Sequence, residues 1–188
     1  MDNNKPGICV FCGSSRGRDE SYAEAAQRMG TLLGENGYDL VFGGGYVGLM
    51  GEVAHAARMA GAKITGVLPE FLRHLEPPAE NEEKVILTPD LQERKRLMLS
   101  MAHAFVALPG GLGTMDEFFE VLTSAQLGQL RKPIVLLDTG GFFTALKTLL
   151  EQIVAEGFAS EDIVELYHIA STPEDVIAIL RRARNRPT

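Results

Sequence analysis

The sequence predicts an α/β fold: one domain on a doubly wound, Rossmann-like parallel sheet. Three observations carry this. Short apolar runs alternate with segments of helical period along the whole chain. The runs are apolar throughout, as strands covered on both faces are. Glycine turns follow three of them, at the sheet edge where such folds bind ligands. The chain of 188 residues is long enough for one such domain with a real core and leaves little for a second. Residues 1–188 are therefore read as a single Rossmann-like domain.

Ile8 to Cys12 reads as the first strand. Ser21 to Asn36 follows with Tyr22, Ala25, Ala26, Met29, Leu32 and Leu33 at helical spacing, and Gly37 stops it. Tyr38 to Phe42 is the second strand. Leu49 to Ala60 is an Ala-rich helix stopped by Gly61. Ile64 to Leu68 is the third strand, closed by Pro69. Residues 70–83, with Pro77-Pro78 and glutamates at 76, 80, 82 and 83, read as a long surface or lid loop. Val85 to Leu87 is a short strand, and Leu91 to Ala102 a helix carrying Arg94, Lys95 and Arg96. Ala104 to Leu108 and Ile134 to Leu137 are further strands, with the amphipathic helical segment Phe118 to Leu127 between them. Phe142 to Glu156 is a helix, Val164 to Ile169 the last strand, and Pro173 to Arg184 the last helix.

Composition excludes several classes of function. The chain is 45% hydrophobic and 23% charged, an ordinary soluble balance, and its net charge of −7 argues against a nucleic-acid partner. No run approaches the roughly 18 apolar residues that span a bilayer. Met1 to Gly7 has no signal-type stretch, so a cytoplasmic location is expected. Cys9 and Cys12 form a C-x-x-C, but on a strand residues three apart face opposite sides, so buried structural thiols are expected rather than a redox pair. His55, His74, His103 and His168 have no metal-ligand spacing. No metal and no cofactor are expected.

The glycine turns are Cys12-Gly-Ser-Ser15, Gly43-Gly-Gly-Tyr-Val-Gly48 and Pro109-Gly-Gly-Leu-Gly-Thr114. In a parallel sheet all three lie on one edge. Backbone amides there, with the hydroxyls of Ser14, Ser15 and Thr114, can converge on one phosphate-bearing ligand. Gly13, Ser14, Gly44 and Gly45 are assigned to substrate binding on this ground. Gly43-x-Gly-x-x-Gly48 also matches a dinucleotide fingerprint with Glu70 as its acid, but it follows the second strand rather than the first. The third turn opens a helix, whose free N–H groups and dipole favour an anion. Thr114-Met-Asp-Glu117 also fits a capping box, with Thr114 as N-cap and Glu117 reaching back. Asp116 reads as a complement to the dipole, Glu120 as a supporting or solvated residue, and Arg94-Lys95-Arg96 equally as a solvated face.

Phe11-Cys-Gly-Ser-Ser15, Phe42-Gly-Gly-Gly-Tyr-Val-Gly-Leu-Met-Gly51, Glu93-Arg-Lys95 and Pro109 to Glu117 together resemble the LOG ("Lonely Guy") family of cytokinin riboside 5′-monophosphate phosphoribohydrolases. The likeness runs from about Ile8 to Ile134. It implies hydrolysis of the N-glycosidic bond of adenosine 5′-monophosphates, N6-modified or not, to a free base and ribose 5-phosphate. It implies Arg94 and Glu117 as catalytic residues. It implies substrate contacts from Glu76, Lys95, Gly110, Gly111, Leu112, Gly113, Thr114, Met115, Asp116 and Thr123, and action as a homodimer with the site near the subunit interface. One departure is Leu91-Gln92, where the family commonly has Met-His. The lysine-decarboxylase label often given to such chains lacks a recognisable pyridoxal-phosphate lysine site here. A carboxylate at a helix N-terminus suits charge stabilisation, ribose binding or activation of water better than proton donation. A guanidinium positions or neutralises but does not shuttle a proton. The rival reading is a non-catalytic carrier or sensor of a phosphorylated, nucleotide-like ligand. On this sequence reading Arg94→Ala is expected to lose activity with little loss of stability.

Overall fold

The computed structural model describes residues 5–75 and 84–185. Seven parallel strands form one sheet: β1 (Gly7–Phe11), β2 (Asp39–Phe42), β3 (Ile64–Pro69), β4 (Lys84–Thr88), β5 (Ala104–Ala107), β6 (Ile134–Leu137) and β7 (His168–Ala170). Their order across the sheet is β4-β3-β2-β1-β5-β6-β7. The chain winds outward from β1 to β4, crosses back, and winds outward again from β5 to β7. The winding therefore reverses between β1 and β5, and the crevice at such a switch point is where open α/β sheets take ligands.

Six helices cover the sheet: α1 (Glu20–Glu35), α2 (Gly48–Met59), α3 (Leu91–Met101), α4 (Leu112–Gln126), α5 (Thr144–Ala155) and α6 (Pro173–Arg184). The alternation of β1 divides the core. Ile8, Val10 and Cys12 face a cluster with α1, α2 and α6, built on Met29, Leu33, Val53, Ile177 and Leu180. Cys9 and Phe11 face the other layer, with Met98 of α3, Phe118 and Val121 of α4 and Leu150 of α5. Cys9 and Cys12 are thus buried thiols on opposite faces, as the strand period requires. Burial pushes the Cys9 thiol well above its ordinary range, with Glu117 adding to the effect. Helices start where side chains cap them: Asp19 accepts from the Ser21 N–H, Asp90 from the Glu93 N–H, and Thr172 from the Asp175 N–H with Pro173 next in line. α1 and α2 pack closely through glycine, for a Cβ at Gly30 would lie 2.3 Å from the Val53 carbonyl oxygen.

Three element boundaries differ from the sequence expectation. α4 begins at Leu112 with Gly111 as its N-cap, so Thr114 is already inside the helix and the Thr114–Glu117 capping box does not form. The stretch expected to open the last strand is a 3₁₀ turn, Glu161–Glu165, and only His168–Ala170 joins β6. Before α5, Gly140 and Gly141 adopt φ of 63° and 74°, which ends a short turn and delays the helix to Thr144.

Candidate active site

The three glycine turns meet at the β1/β5 switch point. The Gly13 N–H donates to the Pro109 carbonyl at 3.1 Å, and the Gly13 carbonyl accepts from the Leu49 N–H at 3.0 Å. The turns touch too closely for side chains. A Cβ at Gly48, where φ is +54°, would lie 2.3 Å from the Ser14 carbonyl carbon, and one at Gly110 would lie 2.1 Å from Thr114 Oγ1.

A cleft of about 300 Å³ opens above this contact. Cys12, Gly13 and Ser14 form one wall and Gly111, Leu112, Gly113 and Thr114 the other. Arg94 and Glu117 lie at its base, only 9% and 6% exposed. Arg94 Nη1 is 3.2 Å from Glu117 Oε1, and Arg94 Nε donates to the Val67 carbonyl at 3.1 Å. Two elements from opposite sides of the crossover thus contribute one partner each: α3 the cation, α4 the carboxylate. The reading of Arg94 as part of a solvated face gives way to burial.

The second glycine turn has a different task from the other two. A Cβ at Gly43 would stand 2.1 Å from Arg94 Nη2, so this glycine makes the room the guanidinium occupies. Gly44 is buried against Val67 and Leu68, and neither it nor Gly45 is among the residues lining the cleft.

The chemistry on offer follows from the helix. The first-turn amides of α4, those of Leu112, Gly113 and Thr114, have no carbonyl one turn behind them, and Met115 N–H is the first to bond back, to Gly111 at 3.2 Å. They present donors and a positive dipole end to an anion. Glu117 stands one turn deeper, about 4.5 Å further along the axis than Thr114. An anionic head group on the amides therefore leaves the atoms next to it beside a carboxylate that a guanidinium holds in place.

Other expected contacts lie elsewhere. Lys95 turns away from the cleft and bridges to Asp116 at 3.0 Å and Glu120 at 2.5 Å. Burial pulls the Lys95 ammonium down, but its hydrogen bonds to Glu120 and Asp116 outweigh this and hold it above its ordinary range. Met115 and Asp116 are not among the lining residues, and Thr123 is exposed, six residues along α4 from Glu117. Gly110 lines a smaller neighbouring cavity of about 200 Å³, walled by Tyr22 and Phe142 in edge-to-face contact. Glu76 lies outside the described residues. Sequence reasoning missed Met50, Leu72 and Leu91, which close the cleft on its apolar side. Two of them carried a signal in the sequence: Met50 belongs to the second glycine motif, and Leu91 to the Leu91-Gln92 departure.

A family model described as "Possible lysine decarboxylase" matches residues 50–180. The cytokinin riboside 5′-monophosphate phosphoribohydrolase LOG of Oryza sativa subsp. japonica is 43% identical over 170 residues, 90% of this chain and 70% of that one. The phosphoribohydrolase LOG7 of Arabidopsis thaliana is 48% identical over 153 residues, 81% and 70% of the two chains. The chain belongs to the LOG family. Among solved structures, a Moco carrier protein from Chlamydomonas reinhardtii shares the fold with a TM-score of 0.72 at 26% identity, over 96% of this chain and 98% of that one. The decarboxylase description of this LOG-family chain does not suit its site. Such chemistry needs a lysine to hold pyridoxal phosphate. No lysine lines the cleft among the described residues, and Lys95 is committed to two carboxylates.

Proposed function

We propose that the cleft hydrolyses the N-glycosidic bond of adenosine 5′-monophosphates, N6-modified ones included, releasing the free base and ribose 5-phosphate. The buried Arg94–Glu117 pair one helical turn below a set of free amides carries this reading. The names of the relatives support the reaction class. The 5′-phosphate binds the Gly111–Thr114 amides, which places the ribose beside Glu117. As the bond from C1′ to the base breaks, positive charge builds on the sugar ring, and a fixed carboxylate stabilises it. Water adds to C1′, and the base leaves with the bonding pair and a proton. Arg94 holds the carboxylate in register and keeps it from rotating away.

Thr123, exposed six residues beyond Glu117, is read as contributing to the site of a second copy of the chain, and Leu127, exposed at the end of α4, as part of the same homodimer surface. No helix among the described residues is long and apolar enough to cross a membrane, and placement in the cytoplasm is part of the proposal.

Incubation with AMP and with N6-isopentenyladenosine monophosphate, followed by chromatography for free base, tests the activity. Glu117→Gln should fold and lose at least ~10²-fold in turnover, as removal of a charge-stabilising group does. Base release by the variant at the parent rate would end the catalytic assignment. Tight retention of uncleaved nucleotide by the parent protein would favour the carrier reading.

A further inference from the structure

A second pocket, of about 480 Å³, opens at the opposite edge of the sheet, where β1 and β5 begin. Its floor is apolar, made by Ile8, Ala104 and Leu180, each at most 3% exposed. Its rim carries Arg131, Lys132 and Arg184. This is unusual in a chain of net charge −7. Among the described residues, no carboxylate pairs with Arg131 or Arg184, and Lys132 Nζ spends a hydrogen bond only on the Leu99 carbonyl. Burial pulls the Lys132 ammonium below its ordinary range, which a nearby anion would reverse.

Two further polar groups point to a ligand. Tyr38 lines the pocket and its hydroxyl makes no hydrogen bond among the described residues, which leaves it free to donate to a ligand. His103 accepts the Gly7 N–H at Nδ1 (3.2 Å), which leaves its ring proton on Nε2 as a donor. Three cations, a hydroxyl and an imidazole N–H therefore converge around an apolar floor.

We propose that this pocket binds a small organic anion, a flat apolar ring bearing one phosphate or carboxylate head. The head meets the Arg131, Lys132 and Arg184 charges and the Tyr38 and His103 donors, while the ring lies on Ile8, Ala104 and Leu180. The site is separate from the catalytic cleft, at the far end of about 13 Å of β1.

The test is titration of the full chain with phenyl phosphate, benzoate and inorganic phosphate, followed residue by residue in ¹H–¹⁵N spectra. Saturable shifts at the His103, Ala104 and Lys132 amides are expected with phenyl phosphate or benzoate, at least ~10-fold tighter than with inorganic phosphate. Arg131→Gln/Arg184→Gln, two exposed positions, should weaken that binding at least ~10-fold with an unchanged melting temperature, as loss of charge-assisted hydrogen bonds does. Tyr38→Phe should weaken it too. Shifts confined to Gly111–Thr114, equal affinity for inorganic phosphate, or undiminished binding by the double variant would overturn the proposal. None of these outcomes depends on nucleotide hydrolysis.

Discussion

Arg94 does two jobs through one guanidinium. It pairs with Glu117, and it ties α3 to β3 through the Val67 carbonyl. Removing one member of a buried ion pair takes a compensating charge from the other, which costs about 3–5 kcal/mol. Arg94→Ala is therefore expected to lose activity and also to melt lower, by about 6–20 °C at ~2–4 °C per kcal/mol for a domain of this size. This replaces the sequence expectation that stability would hardly change. Gly43→Ala probes the same contact from the other side. Its methyl would displace the guanidinium, so activity should fall at least ~10-fold while the far-UV circular dichroism spectrum of the whole chain is unchanged. A fully active Gly43→Ala protein would show that the position of Arg94 is irrelevant to turnover. At this scale the sequence was legible where a residue had one environment. Glu117 and Arg94 came from the motifs. Lys95, adjacent to Arg94 but about 100° around the helix, could not be separated from it without knowing which way α3 faces.

At the scale of elements, α3 and α4 are braced by Lys95 with Asp116 and Glu120. The folded protein raises the affinity of Lys95 for its proton. The brace is therefore fully present below the ordinary lysine value of about 10.4 and is lost as pH rises through the higher folded value. Lys95→Gln should lower the melting temperature at pH 8 by about 1–3 °C, a partly exposed pair being worth ~1 kcal/mol or less. The gap between variant and parent should close as pH climbs past about 10.4. A gap that persisted unchanged at high pH would mean the brace is not ionic. Most helices were readable from their period and caps. The start of α4 was not, because Thr114 fits a capping box as well as Gly111 serves as the N-cap, and only the Gly13–Gly110 approach selects the earlier start. The 3₁₀ turn at Glu161–Glu165 had no such signal, since Val164 lies in a run that also suits a strand.

For the whole molecule, the parallel sheet and its winding followed from alternation alone, and the meeting of three turns followed from parallel strands sharing one edge. What alternation cannot supply is which turn lines a cavity and which supports a neighbour, since that depends on side-chain direction across the crossover. The homodimer reading is checked by light scattering, where twice the chain mass of 20.4 kDa is expected. Monomer at the concentrations that support activity would remove the role proposed for Thr123. The interlocked turns also bear on how such a protein can diversify. Positions 13, 43, 48 and 110 admit no methyl without moving the backbone or the guanidinium, so the end that grips a head group is frozen. New substrate preferences are expected instead at Leu72, Leu91 and Leu112, which line the cleft and are partly or largely exposed. Chemistry and taste are thereby inherited separately.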